Sequence, residues 1–295
     1  MANAVDWSQY AYSLYATDNH YLCNAVMIME SLHRLGSKAE RLILYNEQWI
    51  LSPNTYEGKL LVRAMDKYGA TLKPVKVVRH GDSFTWQDSF TKLLAFNQTQ
   101  YKRVLSLDSD STVMQNMDEL FLMDSAPVAA PQAYWLKDFT LSSQIMLIEP
   151  NATQYARITQ DELGLKENDF DMEVLNHLWK NDSMPIPWRP YDLITGEFKS
   201  ADHSNYLGSK EEVWNATEIL NEVKFLHFSD WPVPKPWLPH AASEVDKIVE
   251  GCAYDSKMDC DSVKVWEGIY KDFWKRRETV CNDLYDTRGG HLKAP

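Results

Sequence analysis

The stretch Val104-Leu105-Ser106-Leu107-Asp108-Ser109-Asp110 decides how the rest of the chain is read. Arg103 to Leu107 is short and apolar, the signature of a strand buried on both faces of a parallel sheet. Two aspartates follow it with one residue between them. In open α/β sheets, ligands bind outside the carboxyl ends of the strands, so carboxylates placed there face the ligand crevice. Such oxygens suit a hard divalent cation, Mn²⁺ or Mg²⁺. A cation at that place can bridge a diphosphate and neutralise the charge that builds on it as it leaves. Asp-Ser-Asp also suits an ordinary polar turn, so the segment needs a second one to support it.

Upstream, strand and helix signals alternate. Tyr10 to Thr17 reads as a first strand. Tyr21 to Leu35 has apolar residues at helical spacing and stops at Gly36. Arg41 to Tyr45 is a second strand, Tyr56 to Tyr68 a helix ended by Gly69, and Leu72 to Val78 a third strand. Ser89 to Phe96 is a short helix. This order predicts an α/β fold with parallel strands between helices. Downstream, Ala126 to Ala130, Ser143 to Ile148 and Lys224 to Phe228 read as strands, with Met184 to Arg189 extended. Thr153 to Leu163, Asp171 to Trp179, Val265 to Tyr270 and Phe273 to Val280 read as helices.

The supporting segment is Phe225-Leu226-His227-Phe228-Ser229-Asp230-Trp231-Pro232-Val233-Pro234-Lys235-Pro236-Trp237. A strand ends in His227, and a proline-stiffened loop carries one lysine, Lys235. Neutral imidazole is a good third ligand for Mn²⁺, and an ammonium is a point charge for a phosphate oxygen. Taken singly, His227 reads as a core histidine and Lys235 as a solvated lysine. Their joint appearance with Asp-x-Asp at the end of another strand favours a site.

Composition narrows the function. The 295 residues hold 30 Lys+Arg against 42 Asp+Glu, a formal net charge of −12. A surface that negative repels phosphate backbones and argues against nucleic-acid partners. A hydrophobic content of 44% excludes a disordered chain. The run Ala25-Val26-Met27-Ile28-Met29 is broken by Glu30, so no membrane span is expected. The N-terminus shows no basic and apolar leader pattern. No Gly-x-Gly-x-x-Gly or Walker loop occurs. As written, the chain reads as soluble and cytoplasmic; the alternative is the Golgi lumen if an N-terminal anchor has been removed. Four Asn-x-Ser/Thr sequons, at Asn97, Asn151, Asn181 and Asn215, hint at the lumen. Of the four cysteines, Cys23 is expected to pack as a small apolar residue. Cys252 and Cys260 would close a short loop in an oxidising compartment.

The sequence resembles glycosyltransferase family 8, the glycogenin-like retaining transferases, from about Tyr10 to about Trp237. The landmarks occur in order: Ala16-Thr17-Asp18-Asn19-His20-Tyr21, Thr91-Lys92-Leu93, Asp108-Ser109-Asp110, Met117-Asp118-Glu119-Leu120-Phe121, His227-Phe228 and Lys235-Pro236-Trp237. The Ser-Asp-Trp-Pro-Val-Pro-Lys-Pro-Trp form looks most like a fungal subgroup related to N-acetylglucosaminyltransferases. The resemblance implies a GT-A fold: a single Rossmann-like nucleotide-diphospho-sugar transferase domain over residues 8–240. Its central sheet would be mixed, mostly parallel and flanked by helices. A helical extension over 241–295 would pack on it, with the charges of the Lys271 to Arg277 cluster solvated.

The resemblance further implies a UDP-sugar donor, a carbohydrate or glycan acceptor and Mn²⁺ (or Mg²⁺) as cofactor; a homodimer is the expected assembly. Asp108, Asp110 and His227 would hold the metal. Lys235 would contact the diphosphate, and Tyr15, Thr17 and Tyr21 would border the nucleotide. Lys92, Ser109, Ser143 and Gln144 would serve donor binding, with Asp171 and Lys92 catalytic. Asp171 is open to two roles, nucleophile or electrostatic stabiliser. The chain departs from the family at Ser229 and Asp230, where a glycine is usual, at Ser142-Ser143-Gln144, and at Asp171-Met172. A self-glucosylating primer using Tyr206, or a non-catalytic sugar-binding protein on the same fold, are the rival readings.

Overall fold

The computed structural model describes residues 4–79, 88–159, 169–255 and 258–282. Its first half is built as the alternation predicts: β1 (Tyr10–Ala16), α1 (Asn19–Arg34), β2 (Glu40–Asn46), α2 (Tyr56–Tyr68), β3 (Ala70–Val75), a 3-10 segment (Ser89–Asn97) and β4 (Arg103–Leu107). The second half contains β5 (Ser111–Val113), β6 (Val128–Pro131), β7 (Ile145–Ile148), α3 (Ala152–Thr159), α4 (Asp171–Trp179), β8 (Met184–Ile186), α5 (Trp188–Tyr191), β9 (Leu193–Ile194), α6 (Ser204–Leu207), α7 (Ala216–Glu222), β10 (Phe225–His227), α8 (Ala241–Cys252) and α9 (Cys260–Cys281). The predicted helix from Thr153 runs to Thr159 here, and its remainder, 160–163, lies outside the described residues, as does 283–295 of the C-terminal extension.

Seven strands form one sheet in the order β3-β2-β1-β4-β7-β6-β8. β3, β2, β1 and β4 are mutually parallel, β7 runs antiparallel to β4 and β6, and β8 is parallel to β6. A second sheet of three strands, β5-β10-β9, stands beside it. β1 and β4 are buried at every position, which is why they read as apolar runs without alternation. The helix ends follow local chemistry. Asp18 caps α1 by accepting from the backbone N–H of His20 and Tyr21. Thr55 caps α2, and Gly69 ends it in the left-handed conformation at φ 62°.

Three readings of the sequence need correction. Val265 to Tyr270 and Phe273 to Val280 are not two short helices but parts of one, the 22-residue α9, because no proline interrupts Cys260 to Cys281. Nor are all its charges solvated. Arg277 is buried and donates to Asn24 Oδ1 at 2.6 Å, while Arg276 donates to Thr112 Oγ1 and to the Met27 carbonyl. Cys23 is likewise no free apolar filler: it is bonded to Cys281, 258 residues away, across α1 and α9. The sequence could not show that pairing, because nothing local marks which distant helix will lie on α1. The expected Cys252–Cys260 bridge is present.

The α1–α9 crosslink closes almost the whole described chain, so it restricts the unfolded ensemble strongly. Replacing Cys23 and Cys281 together by Ser is expected to cost about 2–4 kcal/mol. Urea unfolding of the double variant and the parent under non-reducing conditions checks this; equal midpoints would refute it.

Candidate functional site

β4 ends at Leu107, and the next three residues turn the chain into β5. Over this turn the side chains alternate. Ser109 points back and donates its hydroxyl to the Tyr15 carbonyl at 2.6 Å, leaving Asp108 and Asp110 to face the other way. The second sheet then supplies the third member. β5 pairs antiparallel with β10 so that Ser111 lies opposite His227, and the Phe228 N–H donates to the Asp110 carbonyl at 3.0 Å. The register therefore sets His227 beside Asp110. Its Nε2 lies 3.1 Å from Asp110 Oδ1 and 3.8 Å from Asp108 Oδ2. One ligand atom from each of the three residues falls within 4.8 Å of the others, and all three are buried.

Two lysines flank this group. Lys235 reaches Asp110 Oδ2 at 2.8 Å and also donates to the Phe228 carbonyl. Lys92, on the 3-10 segment, is 2% exposed. It donates to Asp108 Oδ1 at 2.6 Å and to the Ser143 carbonyl at 2.9 Å, and pairs with Asp171 Oδ2 at 2.5 Å. Those three acceptors use all three N–H bonds of the ammonium. Asp171 opens α4 in its first turn, where a carboxylate also suits the helix dipole.

The protonation states follow from this arrangement. Burial alone would lower Lys92, but the charges of Asp108 and Asp171 outweigh it and keep the ammonium charged. Burial would raise Asp171; the charge of Lys92, with the nearby Ser143 and Ser89 hydroxyls, overcomes that and holds it below the usual range. Asp110 is also held low against burial, by His227 and Lys235. Asp108 is the exception. Burial, together with the charges of Asp110 and Asp171, pushes it up despite the pull of Lys92. Burial lowers His227 and favours the neutral imidazole that a metal needs. Three carboxyl groups thus crowd two ammonium groups, and the rise at Asp108 includes, beyond burial, the mutual repulsion that a divalent cation would relieve. The donor set of two carboxylates and one imidazole fits Mn²⁺ or Mg²⁺ in chemistry and in spacing.

The structure brings Asp108, Asp110, His227, Lys92, Lys235, Asp171 and Ser143 into one connected group. The aromatic residues sit next to it: Tyr15 and Tyr21 stack at 5.9 Å between ring centroids, and Tyr21 meets Trp237 edge-on at 5.8 Å. The charges of Asp108 and Asp110 raise both phenols further beyond the effect of burial. Thr17 is buried at the end of β1, just before the cap of α1. Gln144 accepts the Asp108 N–H on its carbonyl at 2.9 Å, and its side-chain Oε1 is buried with no partner among the described residues.

Two acidic residues escaped the sequence reading. Asp230, one of the residues at the family's glycine position, is buried rather than a replacement for a backbone contact. Its carboxylate accepts from Trp266 Nε1 at 2.9 Å, Tyr270 OH at 2.8 Å and Thr195 Oγ1, and pairs with Lys199 at 3.0 Å. Trp266 and Tyr270 belong to α9, so the tail anchors the loop that supplies Lys235. An isolated Asp in a proline-rich loop carries no mark of this. Asp192, just before β9, is wholly buried, and neither carboxylate oxygen receives a hydrogen bond in good geometry. Burial pushes it up to about 7, a cost that the nearby Ser142 hydroxyl and Lys92 offset only in part.

That shift has a defined sign. Unfolded, Asp192 would ionise near its ordinary value; folded, it holds its proton to about 7. The native state therefore loses stability as pH rises between those two values, and the full loss is present above the upper one. Asp192→Asn removes the ionisation. It is expected to be more stable than the parent by on the order of 3 kcal/mol at about pH 8, with the difference shrinking towards about pH 4. Denaturant melts across that range check it; a pH-independent difference would overturn the account.

No family model matches the chain. It is 47% identical over 293 residues to glucose N-acetyltransferase 1 of Gibberella zeae, covering 96% of this chain and 65% of that protein. It is 40% identical over 302 residues to glucose N-acetyltransferase 1 of Aspergillus fumigatus, covering 95% of this chain and 78% of that protein. Glycogenin of Neurospora crassa is 24% identical over 244 residues, covering 80% of this chain and 32% of glycogenin. Among solved structures, the galactosyltransferase LgtC in complex with donor and acceptor sugar analogs superposes with a TM-score of 0.55 at 13% identity, over 90% of this chain and 99% of LgtC. The apo form of the glycosyltransferase GlyE of Streptococcus pneumoniae gives 0.56 at 16% identity, over 94% of this chain and 63% of that one. The structural likeness and the mixed seven-stranded sheet establish the fold as that of the GT-A glycosyltransferases, as the sequence resemblance implies. The identity and coverage of the Aspergillus fumigatus relative place the chain in the fungal glucose N-acetyltransferase 1 family, a glycogenin-like group of glycosyltransferases.

Proposed function

We propose that the chain transfers a hexosyl unit, N-acetylglucosamine or glucose, from a UDP-sugar to a hydroxyl of a carbohydrate acceptor, with retention at the anomeric carbon. The observation that carries this is the convergence of Asp108, Asp110 and His227 beside Lys235 at the carboxyl ends of β4 and β10. The relatives' name, glucose N-acetyltransferase 1, and the LgtC complex with donor and acceptor sugar analogs support the reaction class.

In this reading Asp108, Asp110 and His227 hold a divalent cation, Mn²⁺ by preference. Bound there, it supplies Lewis-acid neutralisation of the diphosphate. Lys235, now paired with Asp110, exchanges part of that pairing for a phosphate oxygen. Tyr15, Thr17 and Tyr21 border the uridine, and Ser109 fixes the turn against β1. Lys92 holds Asp108 and Asp171 at set positions, while the Ser143-Gln144 strip borders the sugar with its unpartnered amide oxygen.

The bond from the anomeric carbon to the β-phosphate oxygen breaks, and one to the acceptor oxygen forms. The acceptor proton passes to the departing phosphate oxygen on the same face, so no protein nucleophile is required. Asp171 suits the stabilising role better than the nucleophilic one. Its carboxylate is ionised and tied to Lys92, and so offers negative charge to an oxocarbenium-like sugar. The priming alternative loses support, because Tyr206 is fully buried against Tyr134 and Trp214 and its hydroxyl cannot be presented to a donor.

UDP release from UDP-N-acetylglucosamine, UDP-glucose and UDP-galactose, with Mn²⁺ or with a chelator, tests the proposal. Release is expected with at least one donor, to need the metal, and to fall at least about 100-fold in Asp110→Ala. Metal-independent release, or none with any donor, would refute it. Lys235→Met should raise KM for the donor more than it lowers kcat, because the lysine binds a group present in ground and transition states alike.

A further inference from the structure

Trp231 stands almost wholly in solvent. It is 94% exposed, and it is the only exposed tryptophan among the described residues. An indole in water forgoes the burial that usually places this side chain in a core or an interface. The backbone beneath it is nevertheless held firmly. The Val233 N–H donates to the Asp230 carbonyl at 2.8 Å, so Trp231 and Pro232 form the two corners of a turn. Trp266, Tyr270, Thr195 and Lys199 fix the Asp230 carboxylate just before it. The Ser229 N–H donates to Thr195 Oγ1 at 3.1 Å, and the Gly196 N–H donates to the Ser229 carbonyl at 3.1 Å. A Cβ at Gly196 would stand 2.6 Å from that oxygen, so the approach requires glycine. The indole is therefore offered on a pre-ordered turn, which lowers the entropic cost of binding to it.

The turn belongs to the margin of the crevice. Trp231 lies four residues after His227 and four before Lys235, and both of those reach Asp110. Four residues span at most about 14 Å. β9 ties the same turn to the strip that borders the sugar in the proposed reaction. Thr195 and Gly196 follow Ile194, whose N–H donates to Tyr134 OH at 3.3 Å. Tyr134 belongs to the loop closed by the Gln132–Leu141 bridge, immediately before Ser142-Ser143-Gln144. β6 runs in the direction of β4, since both are antiparallel to β7, so this loop emerges at the edge where Asp108 lies.

The chemistry of the indole then selects a ligand. A pyranose has a face of C–H bonds that is apolar and slightly positive, while its hydroxyls remain in water at the rim. The negative face of an aromatic ring complements that C–H face. One flat, rigid ring open to solvent suits such a ligand. A protein partner fits less well, because an interface anchor is normally surrounded by further contacts that exclude water. Here Val233 and Trp237 are buried, and only Pro232 is exposed beside the indole.

We propose that Trp231 is an acceptor-binding residue whose indole face stacks on a pyranose ring of the carbohydrate acceptor. The inference rests on the transfer reading above and adds to it the place where the acceptor is held. Trp231 touches neither the metal group nor the diphosphate, so it contributes to acceptor binding in ground and transition states alike.

The test reads the indole directly. The chain, ¹⁵N-labelled at its tryptophan indoles, is titrated with the methyl α- and β-glycosides of glucose, galactose and mannose, with and without UDP and Mg²⁺. Trp231→Phe identifies the Trp231 signal by its loss. That signal is expected to shift saturably with at least one glycoside; a signal that none of them moves overturns the proposal. With the glycoside that moves it furthest as acceptor, Trp231→Ala should raise the acceptor KM about ten-fold and the UDP-sugar KM less than about two-fold, and Trp231→Phe should recover most of the difference. An unchanged acceptor KM in Trp231→Ala also overturns it. Absence of turnover with every UDP-sugar would count against the transfer reading instead, and the titration would still decide the sugar subsite.

Discussion

The site is organised around a single buried ammonium. Lys92 lies in the interior with its three N–H bonds committed to Asp108, Asp171 and the Ser143 carbonyl. An unpaired charge there would be very costly. The pairing instead makes three separate pieces of chain, the end of β4, the start of α4 and the approach to β7, answer to one atom. Asp108 then stands at a fixed place relative to Asp110, and the β5–β10 ladder adds His227 to the same spot. The candidate site is thus the meeting of two sheets rather than the property of one loop.

A second buried charge, the Asp230 carboxylate, does the corresponding work for the closing loop. Four groups converge on it, two of them from α9. Trp274, also on α9, donates to the Pro236 carbonyl at 2.7 Å. Arg276 and Arg277 reach across to α1, which the Cys23–Cys281 bridge ties to the same helix. The tail is therefore coupled to both margins of the candidate site: α1, with Tyr21 near its start, and the loop of Lys235. Rigid support of this kind is what an electrostatic site needs if its groups are to be in place before substrate arrives.

The legibility of these features in the sequence differed by physical type. The bounds of α2, α4 and β4 follow from local signals: Thr55 and Gly69, the acidic opening at Asp171, and an uninterrupted apolar run. β5 and β9 were not legible, being two or three residues long and defined by partners instead of propensity. The 22-residue α9 was broken in two by a charged stretch at Lys271-Asp272 that is polar in pattern but still helical in propensity. Within the site, Asp108, Asp110, His227 and Lys235 were legible because two motifs lie at the ends of strands. Asp192 and Asp230 were not, since a carboxylate's burial depends on what folds over it.

The sequence by itself determined the α/β order, the residue types of a candidate divalent-cation site and their position after buried strands. These are local or periodic properties, written in neighbouring side chains. Tertiary structure alone decided that Lys92 links Asp108 to Asp171, that Asp230 joins the closing loop to α9, and that Cys23 meets Cys281 across 258 residues. Each of those pairings joins segments whose separation along the chain leaves no periodic trace. Their partners are selected by the packing of helices and sheets, not by the residues beside them.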